Sequence, residues 1–198
     1  MKNRAAATAA ITLTALLALA GCASTTSTGG GMDNMPGMDA SASASPAADV
    51  NNADMQFTMM MIPHHEQAVE MADMILAKDG IDERVITLAE QIKAAQGPEI
   101  ELMESWLDEW GTPMGDMDGM DHGGMMSDTD MQALEDATGA EASRLFLEQM
   151  IVHHEGAIEM AQDEVDNGQN PDVITLAENI IASQTTEIAT MEDILATL

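Results

Sequence analysis

The chain has 198 residues, with 35 acidic side chains against six basic ones, a formal charge of −29 and a single cysteine. Such a field repels nucleic acid and anionic lipid head groups and concentrates cations near the surface, so a nucleic-acid partner is excluded. One cysteine rules out a disulfide framework and a thiolate metal site, which leaves an apolar core as the source of stability.

Lys2 and Arg4 precede the apolar run Ala5–Ala20, and Leu19-Ala20-Gly21-Cys22 follows. A positive start, an apolar stretch too short to span comfortably and small residues at a cleavage point predict a signal peptide over residues 1–21. The last four letters resemble a bacterial lipobox, which makes Cys22 the lipidated first residue of the mature chain. The other reading is an ordinary secretory signal with a chance cysteine. Either one sends the protein across the cytoplasmic membrane. The lipobox reading anchors it by lipid alone at the outer face, in the periplasm or on the cell surface.

Residues 22–53 are rich in Ser, Thr, Gly, Ala and Asp without an apolar period, which predicts a disordered tether. It carries a spaced methionine run, Met32, Met35 and Met38. From residue 54 the pattern turns helical. A first segment runs from about Asp54, read as an N-cap, to Gly80, with Phe57, Met61, His64, Ala68, Met71 and Ile75 on one face. His65 falls about 100° from His64, at the edge of that stripe, where it either completes a site or faces water. Met59 and Met60 have the weakest claim to a role. A second segment, about 82–110, presents Val85, Leu88, Ala89, Ile92, Gln96, Ile100, Met103 and Leu107, with a kink expected at Gly97-Pro98. Residues 111–128, GTPMGDMDGMDHGGMMSD, read as a loop. A short helix near 129–138 then leads to segments at about 140–167 and 171–197.

The later segments repeat the earlier ones. Phe57, Met61, Ile62, His64, His65, Glu66, Ala68, Glu70, Met71 and Ala72 recur as Phe146, Met150, Ile151, His153, His154, Glu155, Ala157, Glu159, Met160 and Ala161. Val85–Ile92 recurs as Val173–Ile180, and Gln96, Glu99, Ile100 and Met103 recur as Gln184, Glu187, Ile188 and Met191. Two helical hairpins, residues 54–110 and 129–198, each with one apolar face, predict an all-α antiparallel four-helix bundle with approximate two-fold symmetry.

A methionine on an apolar helical face is ordinarily core. A buried imidazole is harder to place, because both of its nitrogens need partners. Each of His64 and His153 has a methionine three residues before it and another seven after, on one face. Helical neighbours three or four apart are close enough to share an ion. Thioether with imidazole is a soft, neutral donor set that favours Cu(I), and accepts Cu(II) with more imidazole or carboxylate. It also works in an oxidising envelope. Met114, Met117 and Met120, followed by His122, Met125 and Met126, add soft donors in a loop with no core to fill; compositional drift is the competing explanation there. Catalytic patterns are missing: neither His65-Glu66 nor His154-Glu155 is followed by the second histidine of H-E-x-x-H, no Glu-x-x-His occurs, and no EF-hand register is kept.

Met-Ile-x-His-His, then Ala and Glu-Met-Ala, followed by a Gln-x-x-Glu-Ile-x-x-Met helix, all duplicated, resembles the CopM-like family, the domain of unknown function numbered three hundred and five. The resemblance covers roughly residues 54–198. It implies a ferritin-like four-helix bundle in a secreted or lipid-anchored bacterial protein that binds copper and confers copper tolerance. The matching positions are Met61, His64, His65, Met71 and Met103, then Met150, His153, His154, Met160 and Met191. The expectation is a non-enzymatic copper binder that sequesters copper or passes it to another envelope protein. A helical interaction module with a Met/His core and, less well matched, a copper-dependent redox enzyme are the competing classes.

Overall fold

A computed structural model describes residues 49–112 and 123–198. The signal sequence, Cys22, most of the tether, and Met114, Met117, Met120 and His122 lie outside the described residues. The helices are α1 (Asn52–Leu76), α2 (Glu83–Trp110), α3 (Asp128–Asp136), α4 (Gly139–Asn167) and α5 (Pro171–Leu195).

Their ends follow from the local chemistry. Asn51 caps α1: its side-chain oxygen accepts the N–H groups of Ala53 at 2.7 Å and Asp54 at 3.1 Å, while Asp54 accepts the Asn51 N–H at 2.6 Å. Asp54 is therefore the third helical residue and not the N-cap expected from the sequence. Its other oxygen accepts the N–H groups of Gln169 at 3.0 Å and Asn170 at 2.8 Å, in the turn between α4 and α5. That long-range task holds the carboxylate inside the first turn and moves the cap upstream. Asp82 caps α2, which continues through Gly97 and Pro98 and stops at Gly111, whose φ of 66° suits a residue without a Cβ. Ser127 and Asp130 form the capping box of α3, and Asn170 caps α5 with Pro171 in its first turn.

The fold is an all-α bundle, as expected. α1 packs on α2 and α4 on α5, and the two hairpins join chiefly along α1 and α4. These central helices are antiparallel. Asn51, before α1, donates to the carbonyl of Asn167 at the end of α4 (2.8 Å), and Gly80, after α1, meets Gly139 at the start of α4.

Buried side chains form two apolar clusters. One holds Ala68, Met71 and Ile75 of α1 with Val85–Ile92 positions of α2, Phe146 and Met150 of α4, and Met191 of α5. The other holds Phe57 and Met61 with Met103, Leu107, Ala157, Ala161, Val173 and Ile180. On every long helix the chain passes from one cluster to the other through a short polar interval. No helix among the described residues is long and apolar enough to cross a membrane.

Candidate metal centre

The polar intervals meet at mid-bundle. α1 contributes His64 and His65, α4 His153 and His154, α2 Gln96 and Glu99, and α5 Gln184 and Glu187. The four histidines are at most 1% exposed and the two glutamines 3%. The sulfur donors flank this layer symmetrically. Met71, Met150 and Met191 lie in one cluster, and Met61 and Met103 in the other, with Met160 packed against it.

Neighbouring helices determine what each histidine meets. His64 and His153 face each other across the α1–α4 seam, with ring centroids 3.7 Å apart and planes inclined by 37°. His65 points instead to α2, where its Nε2 lies 2.8 Å from Glu99 Oε2. His154 points to α5, where its Nε2 lies 2.6 Å from Glu187 Oε2. His65 is thus buried, which removes the water-facing one of the two readings that periodicity left open. α1 is covered on two sides, so its buried arc is wider than one stripe.

An ionised carboxylate accepts only, so Glu99 and Glu187 require Nε2–H on their histidines. In a neutral ring that leaves the Nδ1 lone pair available. Nδ1 of His65 and of His154 is buried with no hydrogen-bond partner among the described residues, and the same holds for both ring nitrogens of His153. Leaving such a group unsatisfied costs about 1–3 kcal/mol. Burial, reinforced by the nearby His64, His154 and His65, holds His153 well below the ordinary histidine range, hence neutral and able to donate a lone pair. A histidine whose second nitrogen is held by a carboxylate is the usual arrangement for a metal ligand. Among the described residues no three His, Cys, Asp or Glu side chains converge as a metal site.

The family model for a domain of unknown function, DUF305, matches residues 54–195. The chain belongs to the DUF305 family. A DUF305 fragment from Deinococcus radiodurans is similar at 34% identity and a TM-score of 0.70, over 75% of this chain and 99% of that one. A DUF305 protein from Streptomyces coelicolor is 35% identical with a TM-score of 0.69, over 75% and 92%. CopM in its Cu(I)-bound form is 34% identical with a TM-score of 0.61, over 71% and 93%. No curated protein matches the chain.

In this DUF305 chain the structure brings His64, His65, His153 and His154 into one layer, and places Met61, Met71, Met103, Met150 and Met191 fully buried on either side. Met160 is only half-buried and also lines a cavity near the bundle end. Met125 and Met126 are half-buried in a strap that crosses the α1–α4 seam beside the layer. Gln67 donates to the Met126 carbonyl at 2.9 Å and accepts the Met126 N–H at 2.7 Å. Gly123 and Gly124 lie directly on Gly156.

Reading the sequence for donors overlooked Gln96, Glu99, Gln184 and Glu187 as parts of the site. The signal was present, since all four recur in register between the hairpins, but a carboxylate at a helix surface carries no mark of the histidine it will meet.

Proposed function

We propose that this protein is an envelope copper-binding lipoprotein, anchored through Cys22, that sequesters copper or hands it on and so confers copper tolerance. One observation carries the reading: two carboxylate-held histidines, whose buried Nδ1 atoms have no hydrogen-bond partner among the described residues, lie between two groups of buried methionines. Neutral imidazole and thioether match Cu(I), and imidazole with carboxylate extends the set to Cu(II). The likeness to CopM, solved in Cu(I)-, Cu(II)- and Ag-bound forms, supports the same cargo. The ligand candidates are His64, His65, His153 and His154 with Met61, Met71, Met103, Met150, Met160 and Met191. First capture is assigned to Met114, Met117, Met120, His122, Met125 and Met126, with the acidic surface drawing cations in. No catalytic turnover is assigned, and an envelope copper acceptor is the partner that transfer would require.

The test is a Cu(I) titration of the mature protein against a competing chelator, with metal content measured afterwards. The wild type competes, and the H65A/H154A double variant loses bound copper while keeping its helical circular dichroism. A wild-type protein that fails to compete, or a double variant that binds as the wild type does, overturns the reading. Oxidase assays of the copper-loaded form separate a binder from an enzyme.

A further inference from the structure

The two ends of the α1–α4 seam are related by the repeat, yet they are built differently. At the end near α3, Met71, Ile75 and Phe146 are fully buried. Gln149 there donates to the Asp130 carbonyl of α3 at 2.9 Å, and Leu134 of α3 is itself fully buried. That short helix plugs the end. At the other end, between the first turns of α1 and the last turns of α4, a cavity of about 350 Å³ remains. Its walls include Gln56, Phe57, Met60, Met160, Asp163 and Glu164. The differences fall on chemically telling positions: Met60 stands where the second repeat has Gln149, and Glu164 where the first has Ile75.

Glu164 is the unusual member. It is 1% exposed, and its carboxyl shares a hydrogen bond with that of Asp54. Gly168 fits tightly against it, since a Cβ there would lie 2.1 Å from Oε1. Asp54 next to it has its oxygens occupied by the N–H groups of Asn51, Gln169 and Asn170. No lysine or arginine lines the cavity. An acid pair buried with no countercharge holds a proton, and a bound cation takes that proton's place. Two thioethers face the same space. Met60 accepts only a weak contact from Gln56 Nε2 at 3.6 Å, and Met160 is half-buried. The partial negative charge at the end of α4 favours a cation, while the start of α1 opposes it.

We propose that this cavity is a site for one Cu(I), or Ag(I) as its mimic, held by the Met60 and Met160 thioethers and the Glu164 carboxylate. Two soft neutral donors and one carboxylate, ionised as the ion displaces its proton, match a monovalent soft ion in charge and in type. The site stands apart from the histidine layer and shares with the functional reading Met160 and the preference of thioethers for Cu(I). Phe57, which lines the cavity, also packs in the cluster that contains Met61 and Met103, so the site lies at the outer end of the methionine core.

The test is Ag(I) titration in chloride-free buffer combined with methionine-oxidation footprinting of the wild type, M60L/M160L, E164Q and H65A/H154A. Ag(I) is expected to protect Met60 and Met160 from oxidation in the wild type and equally in H65A/H154A. M60L/M160L is expected to lose one bound equivalent, and E164Q to bind that equivalent more weakly. Unprotected Met60 and Met160 in the Ag(I)-saturated wild type overturn the proposal, as does an unchanged stoichiometry in M60L/M160L. The footprint needs no variant, so it decides the matter even where the leucine substitutions disturb folding. A change confined to H65A/H154A speaks for the histidine layer alone and against this second site.

Discussion

His65 and His154 illustrate how one residue's role depends on its neighbour's protonation. Each gives its Nε2–H to a glutamate from the adjoining helix, and each keeps a buried Nδ1 with no partner among the described residues. The carboxylate sets both the tautomer and the ring orientation, so under the proposed function it would act on an ion at Nδ1 without touching it. Changing Glu99 or Glu187 to Gln is therefore expected to weaken Cu(I) affinity about 10–100-fold while leaving the helices intact. Competition against a chelator, with circular dichroism as the control, reads both parts. Unchanged affinity in both variants would show the His–Glu hydrogen bonds to be only packing. The glutamates were visible in the sequence as repeat markers, but the identity of their partners was not. Periodicity places a residue on its own helix and says nothing about which side chain approaches from another.

At the scale of elements, the site depends on helices that approach closely and on a strap laid over them. The repeat made the two hairpins legible and Gly111 marked the end of the first, while α1 stops at Leu76, ahead of the Gly80 that the sequence suggested. The strap was not legible, because it depends on a close approach between distant segments. Gly156 occupies the position that Gln67 has in the first repeat, and its missing side chain leaves room for Gly123 and Gly124. A Cβ at Gly156 would lie 2.1 Å from the Gly123 carbonyl oxygen and 2.7 Å from the Gly124 Cα. Because backbone has to move, Gly156→Ala is expected to cost about 1–3 kcal/mol. It should also strip hydrogen-exchange protection from the Met126 N–H, which Gln67 accepts. A melt and exchange profile equal to the wild type's would show that the strap does not rest on that contact.

For the whole molecule, charge and burial combine where the end of α4 meets the start of α1. Burial, together with the Asp54 carboxylate, pushes Glu164 up to about 8 from 4.5. The native state thus holds a proton that the unfolded chain has released above the ordinary carboxylate range. The stability that this proton confers is complete below pH 4.5 and declines as pH rises through about 8. Chemical denaturation of the metal-free protein across that window should show falling stability, and Glu164→Gln should flatten the slope. An equally steep slope in the variant would assign the dependence to other groups.

The sequence alone determined the all-α class, the duplicated hairpins, the inward stripe of methionines and histidines, and the softness of the side chains on it. Those properties are local: helical period, cap chemistry, donor softness and repetition are written in the order of residues. Only the tertiary structure decided that His65 is buried, that two histidines face each other while two turn to glutamates, and that the ends of the seam differ. Each of these depends on which helices lie beside one another and how closely. A helix covered on two sides buries an arc wider than its own apolar stripe, and one short helix is enough to fill one end and leave the other open.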